Sequence, residues 1–139
     1  MTLEPSDKIS LSDIRMARAY EFLEDAEMIF KAGRYKTSVN RSYYAVLNAI
    51  RAVLILEGVN PKSHEGAMPM LSLRLIKPGL LPKEFVKNFE LLLSRRTDVD
   101  YGDLEITEPS DAEDSLNIAR EMLSRIDKLR KEMIENLSD

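Results

Sequence analysis

An all-α fold is predicted, an up-and-down antiparallel four-helix bundle with one additional short helix. Three observations predict it. Apolar residues recur at three- and four-residue spacing along four long segments. Turn chemistry gathers between those segments, at Gly33, Gly58 and Lys77-Pro78-Gly79. Five glycines and six prolines in 139 residues are too few for a chain of hairpins.

The first helix is expected from Asp13 to Ala32. Ser12 would be its N-cap, with Asp13 against the positive helix end. Ile14, Ala17, Leu23, Ala26 and Phe30 carry its spacing, and Gly33 stops it. Residues 1–11 are polar, contain Pro5 and are expected to form a flexible lead-in to a single domain spanning 1–139. They have no apolar h-region and so do not read as a signal peptide. The second helix is expected from Tyr35 to Glu57, ended by Gly58. A short third helix over Glu65 to Ile76 should start late or break at Pro69. The fourth starts near Pro82, carries Phe85, Phe89 and Leu92, and ends around Arg96. A loop from Thr97 to Glu108 follows. The fifth begins after Pro109, with Ser110 and Glu113 as a capping box, and reaches Asn136. Its apolar seam runs through Ala112, Leu116, Ala119, Leu123, Ile126, Met133 and Leu137. A helix this long should outgrow a small bundle. A homodimer is therefore expected, through part of this helix or through the side of helix two lined by Ala45, Ala49 and Ala52.

The chain is acidic, with a net charge of −4, so bulk attraction to nucleic acid is excluded and any such contact needs a local basic cleft. The absence of cysteine excludes a disulfide frame, a thiol nucleophile and a zinc knuckle. No apolar run is long enough to span a membrane, and a cytoplasmic location is expected. No cofactor and no metal are expected. His64 is the sole histidine and has no matched carboxylate spacing, and no Gly-rich phosphate loop occurs.

Helix two carries the most informative pattern. Val39, Tyr43, Val46, Ile50, Val53 and Leu54 form its core face. Arg41, Tyr44, Asn48 and Arg51 make a narrow polar stripe, with Asn40 beside it. Two arginines, an amide and a phenol make directed hydrogen bonds, where a solvated face would carry Lys and Glu. Either the stripe pairs with acidic residues of a neighbouring helix or subunit, or it faces a ligand. On helix four, Arg96 projects onto the stripe of Phe85, Phe89 and Leu92, and Arg95 falls to the flank, toward water. An inward guanidinium needs a partner, and Asp98, Asp100 and Asp103 follow directly.

Four segments in order resemble the HEPN family: Asn40-Arg41-Ser42-Tyr43-Tyr44-Ala45, the Gly58 to Pro61-Lys62-Ser63-His64 turn, the Lys77-Pro78-Gly79-Leu80-Leu81-Pro82 link, and Arg96-Thr97-Asp98-Val99-Asp100-Tyr101. The similarity runs from Ala17 to about Arg125 and is greatest to short stand-alone prokaryotic members. It implies a dimeric helical bundle acting beside a nucleotidyltransferase partner in a toxin–antitoxin-like pair. Many members are metal-independent ribonucleases with an Arg, then four to six residues, then a His. Here Asp100, Tyr101, Gly102 and Asp103 occupy the places where that His would fall. Catalysis would need Arg96 with a shifted Asp100 or Tyr101, or His64 folded into the cleft. The alternative for His64 is structural, capping a turn or bonding a backbone carbonyl. The expected nucleotide or RNA site is Arg41, Tyr44, Asn48, Arg51, Arg96 and Tyr101 in one pocket. The resemblance implies that a Tyr placed like Tyr101 can be nucleotidylated by the partner. A ribonuclease toxin and a plain dimeric scaffold are the competing readings.

Overall fold

The computed structural model describes residues 3–101 and 107–138. Five α-helices run in order: α1 Pro5–Lys31, α2 Tyr35–Leu54, α3 His64–Leu71, α4 Glu84–Tyr101 and α5 Pro109–Ser138. The long helices α1, α2, α4 and α5 form the up-and-down bundle, and α3 is the additional short one. α2 is central, packing on α1, α4 and α5. Its face through Val39, Tyr43, Val46, Ile50, Val53 and Leu54 is buried, as the periodicity predicts.

The turns explain the up-and-down path. After α1, the N–H of Gly33 donates to the Phe30 carbonyl and that of Arg34 to Ile29. Gly33 takes φ of 79°, the left-handed conformation that this ending requires. Gly58 repeats the arrangement after a 3-10 turn, Ile55–Glu57, at the end of α2.

Several sequence expectations are corrected. α1 begins at Pro5, eight residues before Asp13, so residues 5–11 are helical and not a loose lead-in. Proline suits the first helical turn because its missing N–H would have no partner there. Glu4 is the N-cap, its carbonyl accepting from Asp7 and Lys8. Ser12 is fully buried inside the helix. The buried face of α1 runs through Ser12, Arg15, Met16, Ala19, Leu23 and Ala26, while Ile14 and Ala17 face outward. α3 passes through Pro69 without breaking and continues as a π turn, Ser72–Ile76. Glu65 and Pro69 are exposed, so the carbonyl that loses its helical donor can turn to water. α4 runs five residues past Arg96, because the Arg96–Asp100 pair spans one more turn. Residues 102–106 of the expected loop lie outside the described residues. In α5, Pro109 is the first helical residue, and the Glu108 carbonyl accepts from Asp111 and Ala112. Ser110 is therefore inside the helix and is not its cap.

These corrections move the expected subunit contact. With α1 extended to Pro5, its 27 residues run beside most of the 30 of α5. The α5 seam is buried within one chain as far as Leu129, with Met133, Ile134 and Leu137 half-buried beyond. Arg130, the polar break in that seam, pairs with Asp127 at 2.9 Å and with Asp13 of α1 at 2.7 Å. Asp127 also accepts from the Tyr20 hydroxyl at 2.8 Å. Ala45, Ala49 and Ala52 are fully buried between the helices and offer no surface to a second chain. Among the described residues no helix is long and apolar enough to cross a membrane.

Candidate functional site

α2 and α4 cross so that their polar stripes meet. Arg96 lies two turns beyond Phe89 on the inward face of α4, and only 17% of its side chain is exposed. Its Nη2 donates to the Tyr44 hydroxyl at 2.8 Å. Its Nε stands 3.0 Å from Asp100 Oδ2 as an ion pair, but the N–H is not aligned with that oxygen and finds no acceptor among the described residues. The guanidinium also covers the rings of Tyr43 and Tyr44, at 5.6 and 5.5 Å to their centroids. Burial weakens the charged form, but Tyr44, Asp100 and Tyr43 outweigh it and raise the Arg96 pKa.

Asp100 links this group to the other end of the stripe. Its Oδ1 accepts from Asn40 Nδ2 at 3.3 Å, and Asn40 Oδ1 accepts from Arg41 Nη1 at 2.7 Å. Arg41 covers Phe22 of α1 at 5.9 Å and has no carboxylate partner among the described residues. Phe22 packs against Tyr44, with centroids 5.8 Å apart. The cluster thus sets two guanidiniums against one carboxylate. Its surplus positive charge lies over aromatic rings, on a chain that is acidic as a whole.

Of the expected site residues, Arg41, Tyr44 and Arg96 come together, with Asp100. Asn48 lies one turn away, its amide donating to the Tyr44 carbonyl at 2.8 Å. Arg51 points elsewhere, with Nε donating to the Pro61 carbonyl at 2.8 Å. The side chain of Tyr101 lies outside the described residues, as do Gly102 and Asp103. Arg95 does not face water as projected. Its Nη1 reaches across to α5, to Asp114 at 2.9 Å and Ser115 at 3.0 Å. At the start of α3, Ser63 is the cap and accepts from the Gly66 N–H. Among the described residues, His64 neither caps nor bonds a carbonyl. Its ring meets that of Tyr43 edge-on at 6.3 Å.

Tyr43 is therefore the pivot of the site, although the sequence marks it only as core. It stacks on Phe89, with centroids 5.8 Å apart and planes 9° from parallel, and touches Tyr44, His64 and Arg96. Its hydroxyl is buried without a hydrogen-bond partner among the described residues, and burial pushes its pKa up to about 12. An unpaired buried hydroxyl contributes nothing that a ring hydrogen would not. Tyr43→Phe should leave unfolding free energy unchanged or raise it by up to about 1 kcal/mol. Urea titration reads this, and a loss above about 2 kcal/mol would mean that the hydroxyl is bonded after all.

The HEPN domain pattern matches residues 13–129 of this chain. The chain belongs to the HEPN domain family. It is 29% identical over 128 residues to the UPF0332 protein of Thermotoga maritima, a match covering 92% of this chain and 97% of that one. It is also 29% identical over 116 residues to a Methanocaldococcus jannaschii protein named as a candidate toxin, covering 84% and 86% of the two chains. The crystal structure of TT1696 from Thermus thermophilus superposes with a TM-score of 0.74, covering 85% of this chain and 97% of that one. At 17% identity that likeness shows the shared fold alone.

Proposed function

We propose that this HEPN chain is a dimeric module whose Arg41–Tyr44–Arg96 cluster holds the phosphate of a nucleotide or RNA, in a toxin–antitoxin-like pair with a nucleotidyltransferase-type partner. The observation that carries the reading is the state of Arg96. It is ion-paired with Asp100 yet keeps an N–H without an aligned acceptor, beside Arg41, which no carboxylate neutralises among the described residues. A guanidinium fork of this kind matches phosphate oxygens. The flanking rings of Phe22 and Tyr44 give a base something to stack on. The toxin description of the M. jannaschii relative favours the same biological setting. Dimerisation is supported by exposed apolar side chains, among them Met28 at 70% and Ile14 at 51% on α1.

A ribonuclease reading has one observation in its favour. The motif spacing supplies no histidine near Arg96, but α3 brings His64 onto Tyr43, the ring that Arg96 also covers. Sedimentation velocity with a fluorescent oligoribonucleotide in EDTA tests the dimer and its RNA site. The expected result is a dimer carrying RNA, with affinity falling as salt rises. Monomeric protein with free RNA would overturn the proposal. Shortened RNA that stays intact with His64→Ala would establish cleavage.

A further inference from the structure

A second cluster of guanidiniums lies at the other end of α2. Arg15 of α1 is only 9% exposed. Its Nη2 donates to Asn60 Oδ1 at 2.8 Å and its Nη1 to the Arg51 carbonyl at 3.4 Å. Arg51 itself donates from Nε to the Pro61 carbonyl at 2.8 Å. Every one of these acceptors is neutral. Among the described residues no carboxylate forms an ion pair with Arg15, Arg18 or Arg51. Burial lowers the Arg15 pKa, and the charges of Arg51 and Arg18 lower it further.

Charged groups withdrawn from water are normally paired. The carboxyl end of α2 explains one cation beside its last carbonyls. It does not explain a second guanidinium, that of buried Arg15, close enough to feel the Arg51 charge and bonded only to the Asn60 amide oxygen and the Arg51 carbonyl. Forked planar donors whose acceptors are all neutral suit an oxyanion. We infer that Arg15 and Arg51, with Asn60 holding the Arg15 fork, form a phosphate-binding subsite separate from the Arg96 cluster. Tyr44 and Arg51 are seven residues apart on one face of α2, about 10 Å along the helix. The phosphoryl group bound at Arg15–Arg51 is therefore either free phosphate or a second phosphate of a nucleic-acid strand lying along that face. The subsite stands on its own geometry and does not depend on the reading of Arg96.

Thermal unfolding of the full chain in inorganic phosphate, against chloride at equal ionic strength, tests it. The midpoint should rise with phosphate for the wild type and for Arg96→Gln. Arg51→Gln, at a partly exposed residue, should weaken phosphate binding by about tenfold or more while the chain still folds. In the Arg96→Gln background, Arg15→Gln should remove the response. If Arg15→Gln fails to fold, Arg51→Gln alone decides. No phosphate response in the wild type, or a full response in Arg51→Gln, would overturn the inference. So would a response lost in Arg96→Gln and kept in Arg15→Gln, which would place the phosphate at the other cluster. A second arm identifies the source of the phosphate. For a strand spanning both clusters, Arg51→Gln reduces the salt dependence of oligoribonucleotide binding by about one counterion. For free phosphate, that slope is unchanged and only the inorganic phosphate response is lost.

Discussion

Phe89→Ala is expected to destabilise the bundle by about 3–5 kcal/mol. Phe89 is fully buried and stacks nearly parallel on Tyr43. Truncation removes the apolar transfer energy of a whole ring and leaves a cavity between α2 and α4. The neighbours can fill it only partly, because Tyr43 is held from other sides by Tyr44 and His64. Phe89→Leu keeps much of the volume and should cost less than half as much. Urea unfolding followed by circular dichroism gives both values. A cost below about 1 kcal/mol for the alanine variant would show that the α2–α4 contact is not built on this ring pair. The result also bears on function, since Tyr43 is the surface on which Arg96 rests.

Arg96→Ala is expected to lower nucleotide or RNA affinity by about ten- to a hundred-fold, the equivalent of losing charge-assisted hydrogen bonds worth roughly 1.5–3 kcal/mol. The fold should survive. Asp100 is left without its cation, but its side chain is partly exposed and keeps the hydrogen bond from Asn40, and Tyr44 keeps its packing on Phe22. The stability cost should be about 1–2 kcal/mol, from one partly exposed ion pair and two cation–ring contacts. Arg96→Lys should fall between wild type and alanine, because it keeps the charge and loses the planar fork. Collapse of helical content in the alanine variant, with no ligand bound by the wild type, would make Arg96 a structural residue of α4.

The helices were legible because their signals are local. The three- and four-residue periodicity of α2 and α5, the glycines after α1 and α2, and the inward projection of Phe85, Phe89 and Arg96 need no knowledge of neighbours. The start of α1 differs from the expected one because Ser12 followed by Asp13 carries the local signal of a cap, and only packing on α5 shows Ser12 to lie inside the helix. The inward face differs for a separate reason: Ile14 and Ala17 share apolar spacing with Leu23, but the structure buries Arg15, Met16 and Ala19 with it instead. The Arg41–Asn40–Asp100–Arg96–Tyr44 chain was half legible. Each residue could be placed on a face, but which carboxylate would answer Arg96 depended on α4 running one turn further than its apolar stripe. Arg51 was grouped with the others because it shares their face. Its separation from them comes from the Asn60–Pro61 turn folding back beside it, which spacing on a single helix does not reveal.

The Arg96 N–H groups can be observed directly. In 15N-labelled protein, the Arg96 Nε–H resonance, assigned by its disappearance in Arg96→Ala, reports whether an acceptor has arrived. That N–H has no aligned acceptor among the described residues. Titration with a nucleoside monophosphate or a short oligoribonucleotide should shift it saturably toward the hydrogen-bonded range, together with the amides around Tyr44. An Arg96 resonance that stays in place while the ligand binds, or saturates elsewhere on the chain, would contradict the assignment of this cluster as the phosphate site.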